Sequence, residues 1–260
     1  MPGRRERVAM RPDVSLVVAA YNSATEIEQS LASVRAYFDK QPYPHEVIVV
    51  NDGSSDGTAA ILAAISRDYP QLRNLDNRGN LGKGHSIKRG VLRATGRFIF
   101  FTDADLAYPI EGIQAFLQPL WEGTHTVAVG SRVHASSVVH VHPRYFRYVY
   151  HRHLMSRIFN WLARTSLGVT VTDTQCGFKG FEAETARAIF SRVGISGFAF
   201  DIEVLVIAQR LGCRIAELPV TCAYHGEIST VKILRHAASA LRDMVRIYLR
   251  DRRGEYRTGR

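Results

Sequence analysis

Unbroken apolar runs, each followed by a polar loop and then a helical period, recur through the first half of this chain. Val14–Ala20, Glu46–Val50, a short run at Leu72–Leu75, Phe98–Phe101 and Thr126–Gly130 read as strands. Helical stretches fall at about Thr25–Phe38, after Thr58, up to about Gly96, and from about Pro109. A strand that is apolar at consecutive positions has both faces covered, as in a sheet with helices packed on each side. The alternation predicts an α/β domain wound on both faces of a largely parallel sheet. Such sheets bind their ligands at the C-terminal edge of the strands. No repeat, low-complexity tract or obvious linker interrupts the pattern. The second half is less regular, with Pro143 placed to open a helix.

The 260 residues suffice for one large α/β domain or two small ones. No apolar run approaches the roughly 20 residues that span a bilayer. The start, Met1 to Arg7, is charged and has no hydrophobic segment behind it, so a signal peptide is not expected. Cys176, Cys213 and Cys222 are odd in number and widely spaced, which fits a reduced, cytoplasmic setting. The net charge of +10 is concentrated in two places. Residues 132–165 hold six arginines and no acid, and residues 232–260 hold nine basic residues against three acids. Each segment is therefore +6, leaving −2 for the rest. Nucleic acid, an anionic membrane or a phosphorylated acceptor could each account for them.

Three strand-to-helix loops carry polar groups that would converge on one crevice: Tyr21-Asn22, Asp52-Gly53-Ser54-Ser55-Asp56-Gly57, and Asp103-Ala104-Asp105. Asp103 and Asp105 offer hard oxygen ligands suited to Mg²⁺ or Mn²⁺, although Asp is also common in turns after strands. Asp52 leaves its strand toward the crevice and is a candidate ligand contact, whereas Ser55 and Asp56 suit turn and capping roles. Gly82-Lys83-Gly84 lacks the frame of a P-loop. Lys83 could meet a phosphate or nucleoside, or simply sit in a solvated turn.

Taken in order, Ala20-Tyr21-Asn22, Val50 to Thr58, Asn80-Leu81-Gly82-Lys83-Gly84 and Asp103-Ala104-Asp105 resemble the motif series of family 2 inverting glycosyltransferases. The string Asp173-Thr174-Gln175-Cys176-Gly177-Phe178-Lys179-Gly180-Phe181 is similar to the dolichyl-phosphate glucosyltransferase branch. So are Phe200 to Leu205 and Leu241 to Tyr248. The likeness runs from about residue 14 to 257. It implies a GT-A fold, a Rossmann-like doubly wound mixed sheet, with basic amphipathic helices facing a membrane. The implied layout is a tail over 1–13, a transferase domain over 14–229 with a basic aromatic interfacial segment at 132–165, and a basic amphipathic helix and tail over 230–260.

The resemblance also implies roles. Ala20, Tyr21, Asn22, Asp52, Gly53, Lys83, Asp103 and Ala104 would bind the nucleotide-sugar. Asp105, with Asp103, would hold Mg²⁺ or Mn²⁺. Asp201 would act on the acceptor side beside the catalytic Asp105, unless it merely caps a helix. Arg132, Arg144, Arg147 and Lys179 would hold the acceptor's phosphate. Ser23 and Ala107 depart from the family, where an acid and a polar metal neighbour are common; the metal would then lean more on water or donor oxygens. The expected reaction moves a hexose, glucose from UDP-glucose, onto a polyprenyl or dolichyl phosphate, the enzyme lying peripherally on the cytoplasmic face of an anionic membrane. A transferase acting on a soluble sugar or phosphorylated acceptor, and a non-catalytic basic membrane- or nucleic-acid-binding protein, are the alternatives.

From Leu234 to Leu249 the apolar residues follow helical spacing, with Arg235, Arg242, Arg246 and Arg250 along one flank. That stripe suits either a membrane interface or packing on the domain. Residues 144–164 mix arginines with aromatics on a ragged stripe, which predicts two short interfacial helices. No nucleic-acid motif accompanies them, so nucleic acid is not an expected partner. His134, His140, His142, His151 and His153 match no zinc spacing and read as polar surface. His225 could contact donor or metal, or be structural.

Overall fold

The computed structural model describes residues 12–141, 146–224 and 233–257. The tail over 1–11, Arg144, His142 and His225 lie outside them, as do the side chains of Arg147, His151 and His153. A seven-stranded mixed sheet carries the fold. Its strands are β1 (Val14–Ala20), β2 (His45–Asn51), β3 (Leu72–Asp76), β4 (Phe98–Asp103), β5 (Val127–Ser131), β7 (Lys179–Glu182) and β8 (Ile215–Pro219), in the spatial order β3-β2-β1-β4-β7-β5-β8. β7 alone runs against its neighbours. A two-stranded parallel ribbon pairs β6 (Val138–Val141) with β9 (Thr221–Tyr224).

The helices are α1 (Ile27–Phe38), α2 (Thr58–Asp68), α3 (Lys83–Val91), α4 (Ile113–Trp121) after a 3₁₀ turn, α5 (Phe146–Leu167), α6 (Ala183–Arg192), α7 (Phe200–Arg210) and α8 (Ile233–Arg252). Two buried clusters lie on opposite faces of the sheet. One joins Val17, Ile48 and Phe101 to α3, α6, α7, Ala163 and Leu167 of α5, and Met244 and Ile247 of α8. The other joins Leu16, Val49 and Phe100 to Leu31 of α1, Leu62 of α2 and Phe116 of α4. This two-sided burial is what the continuous apolar strands demand.

The register delivers the chemistry to one rim. Ala20 pairs with Asn51, Asn51 with Asp76, and Ala19 with Asp103, so the C-terminal ends of four parallel strands are level. Because β7 is reversed, its first residue, Lys179, lies opposite Phe101 and Val129 at that same rim.

Three sequence expectations change. α3 stops at Val91, five residues before Gly96, because Leu92 to Thr95 turn back to give Glu46 its hydrogen bonds from Thr95. The first helix starts at Ile27, after a turn in which Ile27 N–H donates to the Ser23 carbonyl. Residues 146–167 form one continuous helix and not two. Its stripe is ragged because α5 meets two kinds of surface: Ala163 and Leu167 enter the core, while Ser156 and Asn160 bond to the polar segment 172–175.

Candidate active site

The first two loops are knitted together at the rim. Asn22, in the left-handed conformation, accepts a hydrogen bond at Oδ1 from Ser55 N–H, and its own N–H donates to Ser54 Oγ. The Ala20 carbonyl accepts from Asp52 N–H. Asp56 binds the N–H groups of Thr58 and Ala24, the turn-and-cap role expected for it. Gly53 has φ +68°, and its Cα side lies so close to the Gly79 backbone that no side chain fits. Tyr21 stands at the mouth with 48% of its surface exposed.

Asp52, expected at the nucleotide-sugar, is bonded here to the neighbouring loop. Its carboxylate is buried and accepts hydrogen bonds from Asn77 Nδ2 (2.7 Å), Leu81 N–H (2.9 Å) and Gly82 N–H (2.8 Å). It thereby shapes the loop that ends at Lys83, the first residue of α3. The next turn is set by Gly84, whose N–H donates to the Ser196 carbonyl, 2.8 Å away.

Lys83 Nζ reaches across the crevice to Asp103 Oδ1 at 2.5 Å. Lys83 is 17% exposed and Asp103 31%. Burial alone would lower the Lys83 pKa, but Asp103, followed by Asp201 and Asp105, raises it above the ordinary amine value. The ammonium also lies 5.9 Å from the centre of the Phe200 ring. Asp103 Oδ2 abuts Gly177, where any side chain would collide with it. Asp105 lies at the surface in the turn beyond β4, its Oδ1 accepting from Ala107 N–H, with Leu106 in a left-handed conformation. Ala104 between them is buried.

Asp201 is neither a cap nor exposed. Ala199 is the N-cap of α7, and Asp201 sits in the first turn with its carboxylate 2.5 Å from Lys179 Nζ. Lys179 is fully buried and also donates to the Cys176 carbonyl at 2.5 Å. Lys179, expected at the acceptor's phosphate, here faces the Asp201 carboxylate inside the protein. Arg132, expected at the same phosphate, here faces a carboxylate too. Its Nε and Nη2 donate to the Asp173 carboxylate at 2.7 and 2.9 Å. Burial opposes both charges, but the pairing outweighs it: Asp173 raises the pKa of Arg132, and Arg132 lowers that of Asp173.

Gly177, Phe200 and the Ser196 carbonyl are parts of the site that the residue pattern did not reveal. Gly177 and Phe200 both stand in the strings that carry the resemblance, but nothing in those strings states that they meet Asp103 and Lys83. The contacts of Phe200 and the Ser196 carbonyl depend on α7 folding back against α3.

The arrangement of strands, with acids and amines at the C-terminal rim, defines a class. It is the GT-A-like fold of glycosyltransferases. Glucosyl-3-phosphoglycerate synthase from Mycobacterium tuberculosis, solved with Mn²⁺, UDP and glucosyl-3-phosphoglycerate, matches it with a TM-score of 0.65. That match covers 91% of this chain and 80% of the other at 17% identity. A mannosyltransferase from Pyrobaculum calidifontis, solved with GDP-Man and Mn²⁺, gives 0.58 over 93% of this chain and 65% of its own, at 21% identity.

The chain belongs to glycosyl transferase family 2, whose profile matches residues 15–190. It is similar to a dolichyl-phosphate β-glucosyltransferase of Trichomonas vaginalis, 32% identical over 92% of this chain and 72% of that protein. The Dictyostelium discoideum protein of the same name is 30% identical over 91% of this chain and 74% of its own length. The human one is 32% identical over 80% and 66%.

Proposed function

We propose that this glycosyltransferase moves glucose from UDP-glucose onto a polyprenyl phosphate at the cytoplasmic face of a membrane, with Mg²⁺ or Mn²⁺. The observation that carries the reading is the convergence of Asp103, Asp105 and Asp201 around the Lys83 ammonium at the sheet rim. The names of the 30–32% identical relatives support the sugar and the lipid acceptor.

Asp103 and Asp105 supply hard carboxylate oxygens, a donor set that fits a cation sharing its remaining positions with water and a diphosphate. Among the described residues no group of three or more His, Cys, Asp or Glu could hold a metal unaided. When bound, the cation neutralises charge gathering on the departing diphosphate. The chain's own residues do the rest. Tyr21 offers an exposed ring to the base, and Lys83 an ammonium to the diphosphate oxygens.

In the transfer, a phosphate oxygen of the acceptor attacks the anomeric carbon as the bond to the UDP oxygen breaks, inverting the configuration. A phosphate monoester is already anionic near neutral pH, so no side chain must take a proton. Asp201, fixed by Lys179, orients the acceptor side of the crevice. The adjoining α5 and α8 support a docked membrane face. Trp161 is 63% exposed, and Ile158, Leu241, Val245 and Tyr248 are also exposed, with Arg157, Arg164, Arg242 and Arg246 among them. No described helix is long and apolar enough to cross a membrane.

A phosphorylated soluble acceptor is the second reading, supported by the shared fold with the phosphoglycerate-glucosylating enzyme. Incubating the protein with labelled UDP-glucose, Mn²⁺ and either undecaprenyl phosphate or 3-phosphoglycerate separates the two. Label is expected in the lipid, falling about 100-fold or more in Asp105→Asn, the scale of losing one electrostatic stabiliser. Label in phosphoglycerate alone would favour the second reading, and none in either would defeat both.

A further inference from the structure

We propose that Lys83 is a built-in counter-ion that occupies the cation place beside Asp103 until a diphosphate draws it away, making divalent-metal binding and UDP binding strongly cooperative. This rests on the reading of the site as a metal- and UDP-binding one. It concerns how the site fills and not which sugar it moves.

The geometry carries it. Of the two carboxylate oxygens of Asp103, Oδ1 already has a cation, with Lys83 Nζ 2.5 Å away, while Oδ2 lies beside Gly177 in space that a side chain there would fill. A cation approaching Oδ1 therefore meets an ammonium. Charge adds to the obstruction. The three acids Asp103, Asp105 and Asp201 share the rim with two ammonium groups, Lys83 and Lys179, and Lys179 is locked in the interior by Asp201 and the Cys176 carbonyl. A divalent ion entering beside Lys83 would be repelled by it while gaining little net negative charge.

Lys83 is the cation able to yield. It sits at the first position of α3 on a flexible four-carbon stem and keeps part of its surface in solvent. Diphosphate oxygens in the crevice give the ammonium a new partner, which releases Asp103 Oδ1. Each ligand then removes an obstacle to the other, and the coupling is reciprocal.

The test is Mn²⁺ titration by calorimetry, with and without saturating UDP, on the wild-type protein, Lys83→Met and Lys83→Arg. Wild type is expected to bind Mn²⁺ about tenfold or more tightly when UDP is present, within the range of ordinary allosteric couplings. Lys83→Met should bind Mn²⁺ about tenfold more tightly than wild type without UDP, and UDP should then add little. Lys83→Arg, which keeps a charge in the same place, should retain weak Mn²⁺ binding in the absence of UDP. The proposal is overturned if Lys83→Met leaves the UDP-free affinity unchanged or weaker. It is overturned equally if the substitution tightens Mn²⁺ by the same factor with and without UDP, since that is only the loss of a nearby positive charge. Wild type binding neither Mn²⁺ nor UDP would instead sink the functional reading, and this proposal with it.

Discussion

Lys179 and Asp201 are two charged side chains that could not remain where they are without each other. The lysine is fully buried and the aspartate side chain 6% exposed, with 2.5 Å between the charged atoms. Removing one partner leaves an uncompensated interior charge, which costs about 3–5 kcal/mol, whereas an apolar pair of similar volume is often tolerated. Lys179→Met and Asp201→Leu are therefore each expected to lower the urea midpoint sharply, and the double variant to regain most of it. Glucosyl transfer should stay low in the double variant because the acceptor side has lost its carboxylate. Recovery of activity together with stability would show that the pair only holds the fold. Sequence placed both residues at a functional locus, but not facing each other. Lys179 opens a strand that runs backwards, and nothing local to Gly177-Phe178-Lys179 states that direction.

At the level of elements, α8 shows how a legible pattern can still hide its partition. The helical spacing from Leu234 is present as expected, yet the stripe serves two surfaces. Met244 and Ile247 are buried in the core, while Leu241, Val245, Tyr248 and Leu249 are exposed. Arg250, on the basic flank of that stripe, is turned inward: it pairs with Glu203 and with Glu255, and donates to the Arg192 carbonyl. Buried Glu203 also accepts from Tyr256 OH at 2.7 Å and from the N–H groups of Gly194 and Ile195, tying helix and domain to one carboxylate. The outward face is the one that the proposed bilayer contact would use. Val245→Ser combined with Tyr248→Ser should weaken co-sedimentation with vesicles containing anionic lipid several-fold, with the urea midpoint unchanged. A shifted midpoint with unchanged vesicle binding would mean the face packs against protein instead.

Across the whole molecule, acids held below their ordinary pKa set how the fold responds to pH. Burial raises Glu46, but hydrogen bonds from Ser15, Thr95 N–H, Thr95 Oγ1 and Arg73 outweigh it and lower its pKa. Asp173 is lowered by Arg132 against the same opposing burial. A depressed carboxylate stabilises the native state fully above its unfolded pKa, near 4, and loses that contribution as the pH falls through the lower native value. Stability should therefore decline below about pH 4. Glu46→Gln should be less stable than wild type at pH 7, with the difference shrinking as the medium is acidified. A difference that held constant down to pH 2 would deny the linkage.

Apolar runs with loops between them were enough to establish an α/β sheet covered on both sides, the rim where its strand-end loops gather, and most of the acids that stand there. These properties follow from local periodicity and from the rule that strand ends carry the loops. Tertiary structure alone decided what each charge faces: Asp52 turned to the Lys83 loop, Arg132 to Asp173, Lys179 to Asp201, and Lys83 to Asp103. It also brought the two basic segments together by packing α5 beside α8. A buried or crowded charge is settled by whichever opposite charge comes within a few ångströms, and that partner can lie anywhere along the chain.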